Sequence, residues 1–155
     1  RALGRTASGV RGINIEEDDE VVGMITYDPT AEDAAAHSIL VVSENGYGKR
    51  SDFEEYRKTN RGGKGVKTLN ITEKTGALVA MKNVTDENDL MIINKSGLTI
   101  RMAVSDIRVA GRATQGVKLI NIKEGDSIAA ISAVNKSEEE TPVQPVEQVN
   151  EDNNE

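Results

Sequence analysis

The sequence predicts an all-β repeat protein built from propeller-like, four-stranded blades. Three observations predict it. One segment recurs three times at blade-sized steps, a strand–turn–strand segment recurs twice in phase with it, and nothing sustains helical periodicity. A unit of this size cannot bury its apolar face without a neighbour, so repetition at this period means stacked sheets.

Arg5–Ile15 opens the first cycle and aligns without gaps on Arg61–Ile71 and Arg112–Ile122, the shared pattern being R-x-x-x-G-V-[RK]-x-[IL]-N-I. Its glycines fall at 9, 65 and 116, giving steps of 56 and 51 residues. Val66, Leu69 and Ile71, and again Val117, Ile120 and Ile122, carry a strand-like apolar pattern out of the Gly-Val pair. Short apolar strands are expected next, at Val21–Ile25, Ala77–Met81 and Ile128–Ile131. Ala31–Ala36 lies in the stretch that lengthens the first cycle and is expected to be a loop insertion. Ser38–Gly46 then matches Asp89–Gly97, each a β-branched run ending in a Gly-bearing turn, followed by Tyr47–Arg50 or Leu98–Arg101. Each is expected to be a hairpin, with Gly supplying the positive φ of the turn. Three Gly-Val elements and two hairpins amount to about two to three blades, a partial ring.

Composition bounds the rest. Aromatic residues are 3% and Trp is absent, so aliphatic side chains supply the core. Cysteine is absent, which excludes disulfides and thiolate metal sites and fits a reducing, cytoplasmic compartment. No apolar run spans a bilayer, so no membrane partner is expected. The net charge of −7 is unevenly placed. Lys136–Glu155 holds seven acidic residues and one basic, and reads as a disordered acidic tail behind a domain over 1–135. Asn45–Thr75 instead holds eight basic residues against four acidic. The chain begins at Arg1, without Met and beside the first repeat copy, so it reads as a fragment of something longer.

No catalytic constellation is visible. His37 is the one histidine and reads as an exposed loop residue. Glu16–Glu20 lacks the glycine and alternating ligands of a calcium loop, and reads as a solvated acidic turn, so no metal site is expected. Gly62-Gly63-Lys64-Gly65 has the wrong spacing for a nucleotide loop. A better reading is a glycine turn whose uncovered amides, flanked by Arg61 and Lys64, approach a phosphodiester. The cations also recur with the repeat. Arg5, Arg61 and Arg112 are equivalent, as are Arg11, Lys67 and Lys118, and as are Arg50 and Arg101. On stacked blades such positions form a stripe that can follow duplex phosphates without reading bases. With Lys49, Arg57, Lys58, Lys64 and the glycines Gly62, Gly63 and Gly65, they make up the candidate DNA-binding set. The competing assignment is ordinary surface charge, partly paired with Asp52, Glu54, Glu55 or Asp106.

Asn45–Arg50, Gly62–Val66, Gly111–Val117 and Gly4–Ile13 closely resemble segments of the C-terminal domain family of the DNA gyrase A subunit. The resemblance covers about residues 1–135. It implies a β-pinwheel that wraps double-stranded DNA on a basic rim and supports ATP-dependent negative supercoiling by a type II DNA topoisomerase. It implies as partners the rest of the gyrase A subunit, together with the gyrase B subunit, in an A2B2 tetramer. The cleavage tyrosine, ATP and Mg2+ would belong to other parts of that enzyme, leaving this fragment non-catalytic and without a cofactor. Thr59–Gly65 keeps the last five residues of the family's Gln-Arg-Arg-Gly-Gly-Lys-Gly box but not its Gln and first Arg, and reads as a secondary copy. The alternatives are the related domain of the topoisomerase IV A subunit, or a β-repeat scaffold that binds proteins.

Overall fold

A computed structural model describes residues 2–136. The acidic tail expected over 136–155 therefore lies, from Ser137 onward, outside the described residues. Seven strands form two antiparallel sheets: β1 (Ser38–Ser43), β2 (Tyr47–Asp52), β3 (Leu78–Val84), β4 (Asn88–Asn94), β5 (Thr99–Ala103), β6 (Val117–Lys118) and β7 (Ile128–Asn135). No α-helix occurs among the described residues, and none of them forms a helix long and apolar enough to cross a membrane. Ala34–Ala36 is a single 3-10 turn in the expected loop insertion.

Both hairpins form where the sequence repeats. Val42 pairs with Gly48 in the first, and Ile93 with Thr99 in the second, at equivalent positions. Gly46 and Gly97 close the turns with φ of 83° and 88°, a region that costs a residue with a Cβ but not Gly. β3 adds to β1 and β7 adds to β4, and each pairing carries a bulge at the same place, Val42/Ser43 and Ile93/Asn94. A bulge repeated in register bends both blades alike.

The blades are not contiguous stretches of chain. The first sheet runs β3-β1-β2-β6, so its outer strand comes from the third repeat copy, which reaches back to pair Val117 with Gly48 and Lys118 with Tyr47. The second sheet runs β5-β4-β7 and has three strands. Expecting each cycle to build its own four-stranded blade therefore needs correction, because neighbouring cycles interleave.

Other expected strands are absent. Val21–Ile25 is not a strand: it runs beside the outer edge of β3, with Gly23 next to Met81 and Ile25 packed near Leu78 and Met81, but makes no ladder with it, and Val21 and Met24 are 66% and 85% exposed. Of the three Gly-Val elements only the third is a strand, and it spans two residues. The core is aliphatic as composition requires. Leu40, Val42, Val84, Leu90, Ile92, Val104, Ile107, Ile120, Ile128 and Ile131 form one cluster that spans both sheets. Ile39, Val41 and Leu69 form a second.

Candidate nucleic-acid interface

Successive repeat copies are joined end to end by backbone. The amide of Asn14, the Asn common to all three copies, donates to the carbonyl of Gly63 at 2.9 Å. In the next pair Asn70 donates to Thr114 at 3.1 Å, which is the same repeat position bonding to the same repeat position. The first junction is reinforced by Gly62 N–H to the Gly12 carbonyl at 2.8 Å and a parallel bridge between Ile13 and Gly63. The second is reinforced by Arg112, whose Nη1 donates to the Lys67 carbonyl at 2.8 Å and whose Nε donates to the Glu55 carbonyl at 3.0 Å. The three copies thus form one continuous backbone path.

Along that path stand most of the cations singled out by the repeat. Arg5, Arg11, Arg61, Lys64, Lys67 and Lys118 are all exposed. The junction brings Arg11 and Gly12 beside Arg61 and Gly62, and places Lys67 beside Arg112. Arg57 and Lys58 are exposed on the segment leading into the second copy. Gly63 is half-buried, while Gly62 and Gly65 are exposed. The glycine turn differs from expectation in one respect. The Gly62 amide already donates to Gly12 and is not open to a phosphate, so the turn contributes through its flanking cations and its close packing.

Two basic residues leave the surface and a third is half-buried. Lys49 is 1% exposed and Arg50 is 7% exposed. Together with Ser51 they stitch β2 to the segment before the third copy. Lys49 Nζ donates to the Gly111 carbonyl at 2.6 Å, Arg50 Nε to Ile107 at 2.7 Å and Ser51 Oγ to Ala110 at 2.7 Å. Arg50 also pairs with Asp86 at 2.6 Å. Burial pushes the Lys49 ammonium down to about 8, with Arg112 adding to the effect and Glu55 opposing it. Arg112 itself is half-buried and committed to two carbonyls. Lys49, Arg50 and Arg112 thus shape the path from behind. Strand pairing from a cycle away buries β2 on both faces, which local sequence does not announce. Arg101 remains exposed but is paired with Asp89 at 2.6 Å, so the repeat equivalence of Arg50 and Arg101 does not carry into their surroundings. The ion partners foreseen at Asp52, Glu54, Glu55 and Asp106 are not used, the paired carboxylates among the described residues being Asp86, Asp89 and Asp33.

His37 is not a free loop residue. Its Nδ1 faces Asn83 Oδ1 at 2.8 Å and its Nε2 faces Asp33 Oδ2 at 3.2 Å. Asn83 spends its own amide on the Thr26 carbonyl, so its oxygen must accept from the ring. Both nitrogens then face acceptors, and the Asn83 and Asp33 bonds raise the histidine above its ordinary value. No cluster that could hold a metal occurs among the described residues, and Glu16–Glu20 is an exposed turn.

Two cations were missed by the repeat. Lys74 Nζ lies 5.6 Å from the Tyr47 ring centre, and Lys74 and Lys123 share a groove of about 420 Å³ with Tyr47 and Lys118. Neither recurs in register, so periodicity has no signal for them. They meet Lys118 only because β6 pairs with β2.

The family model described as the DNA gyrase C-terminal domain, beta-propeller, matches residues 1–28, 37–85 and 88–135. The chain belongs to the DNA gyrase C-terminal domain family. A protein from Staphylococcus epidermidis, named as the A subunit of DNA gyrase, is 48% identical over 139 residues, covering 90% of this chain and 15% of that protein. A Staphylococcus aureus protein of the same name is 44% identical over 155 residues, covering 100% of this chain and 17% of that one. The chain therefore spans about one sixth of the length of these relatives. The solved "Structure of DNA gyrase A C-terminal domain" is similar with a TM-score of 0.59 at 25% identity, over 62% of this chain and 33% of that one. The C-terminal domain of DNA topoisomerase IV has the same fold, with a TM-score of 0.69 at 22% identity over 81% of this chain and 38% of that one. Membership in the gyrase C-terminal domain family accounts for the all-β class and the repeated blades.

Proposed function

We propose that this chain is a DNA-binding and DNA-wrapping part of a gyrase A subunit, and that residues 1–135 are the wrapping unit. The observation that carries the reading is the continuous path of Arg5, Arg11, Arg61, Lys64, Lys67 and Lys118 along the joined repeat copies. A duplex presents one phosphate charge per roughly 1.7 Å of axis, and a rail of exposed cations follows it without base contacts. In this reading the chain supports ATP-dependent negative supercoiling in the cytoplasm, within an A2B2 tetramer of gyrase A and B subunits. It carries no catalytic group and no cofactor of its own, ATP and Mg2+ acting elsewhere in the enzyme.

The test is binding to two unrelated duplexes over a salt series. Equal affinities that fall steeply with salt are expected, since several counterions are released. Affinity that is flat in salt, or confined to one sequence, rejects the reading. Identity near one half with gyrase A subunits favours gyrase over topoisomerase IV, whose similar structure supports only the fold.

A further inference from the structure

A second group of cations lies off the repeat path. The groove of about 420 Å³ that holds Lys74 and Lys123 also holds Lys118, the last cation of the path. We infer that this groove takes the duplex phosphates that follow Lys118, with Lys74 and Lys123 as the contacting residues. The inference rests on the DNA-wrapping reading and adds to it a place where the duplex leaves the line of the repeat copies.

Backbone builds the groove, and the second and third cycles supply both of its walls. On one side the Asn45 amide donates to the Thr75 carbonyl at 3.1 Å. The Asn45 side-chain nitrogen donates to the carbonyls of Glu73 and Lys74 at 3.2 and 3.3 Å. On the other side the Leu119 amide donates to Gly46 at 2.8 Å and the Ile128 amide to Glu44 at 2.9 Å. One hairpin turn, Glu44–Gly46, thus fixes the segments that carry Lys74 and Lys123. Both lysines are exposed, and neither is in an ion pair among the described residues. The Tyr47 ring, 5.6 Å from the Lys74 ammonium, steers that side chain without neutralising it.

Charge in the groove favours an anion. Three lysines line it against two carboxylates, Glu124 and Asp126. Asp126 is already committed. It accepts from the Asn94 side-chain amide and the Ser96 hydroxyl at 2.7 Å each, and from the Ser96 and Ser127 amides at 3.2 and 2.9 Å. Glu124 is exposed and unpaired among the described residues, so it turns to water at little cost. A concave site concentrates the field of its cations more than a flat face does. A groove of this size admits a phosphodiester with its sugar and not the whole duplex, so the contact is to backbone and blind to sequence. It lies at the hairpin-turn end of the first sheet, and contact there draws the duplex towards that end.

Binding of the full chain to a plain duplex over a salt series tests this. The parent is compared with Lys74→Ala/Lys123→Ala and with Lys74→Arg/Lys123→Arg. A control, Lys82→Ala/Lys136→Ala, removes the same charge near the ends of β3 and β7 that lie away from the hairpin turns. The alanine pair is expected to lower the slope of log affinity against log salt by about 1–2, and to weaken binding at low salt about tenfold. The arginine pair and the control are expected to keep the parent's slope. A parent affinity that is flat in salt rejects the DNA-wrapping reading and this inference with it. A steep parent slope that the alanine pair shares overturns the groove alone. So does a control that loses as much as the alanine pair, or an arginine pair that fails to hold the slope.

Discussion

The backbone amide of Asn70 donates to the carbonyl of Thr114, and Asn14 makes the equivalent bond to Gly63. A repeat whose Asn amide bonds the start of the next copy holds its cations at fixed spacing on backbone. The exposed residues of the path are thereby positioned by hydrogen bonds that none of their own side chains make.

Arg112 is the exception, because its side chain holds the junction. Arg112→Ala strips the donors from the Glu55 and Lys67 carbonyls. At this half-exposed site a loss of about 1–2 kcal/mol is expected, seen as a lower denaturant midpoint with an unchanged slope. Arg112→Lys, unable to fork to both carbonyls, is expected to recover less than half of it.

Lys49 carries a pH signature. Its folded value is about 8, against 10.5 for an ordinary lysine. Between these values the unfolded chain holds more protons than the folded one, so stability rises with pH through that window. Relative to Lys49→Met, the parent is expected to gain up to about 3 kcal/mol from pH 7.5 to 10.5 in urea unfolding.

His37 runs the opposite way. Its folded value is raised, so its contribution is complete below the unfolded value of 6.5 and is lost as pH climbs through the folded one. The difference in Tm between the parent and His37→Ala is expected to shrink from about pH 5.5 to 8.5. A difference constant with pH would mean that the ring does not hold Asn83 and Asp33 as an imidazolium.

Legibility in the sequence followed how local each feature was. Ser38–Arg50 and Asp89–Arg101 were readable because a hairpin is made by neighbouring residues and its turn demands Gly at 46 and 97. Val21–Ile25 has the composition of a strand and lies beside the edge of β3 without pairing to it, and strand formation belongs to the pair. Lys49 and Arg50 look like rim cations because the Ile107–Gly111 segment, whose carbonyls take their side-chain donors, arrives from a full cycle later. One sign of crowding was present. Gly48 sits inside a strand pattern, where glycine marks close approach of another chain segment. The exposed cations of the path were found by register alone, and Lys74 and Lys123, out of register, were not.

The central claim is that exposed path cations meet phosphate while buried Lys49 does not. The most direct measurement is the slope of log affinity against log salt for a plain duplex. Replacing Arg61, Lys64 and Lys67 together by Ala is expected to reduce that slope by about 2–3, while Lys49→Met leaves it unchanged. A triple variant with the parent's slope, or a Lys49→Met protein that loses as much, would contradict the account.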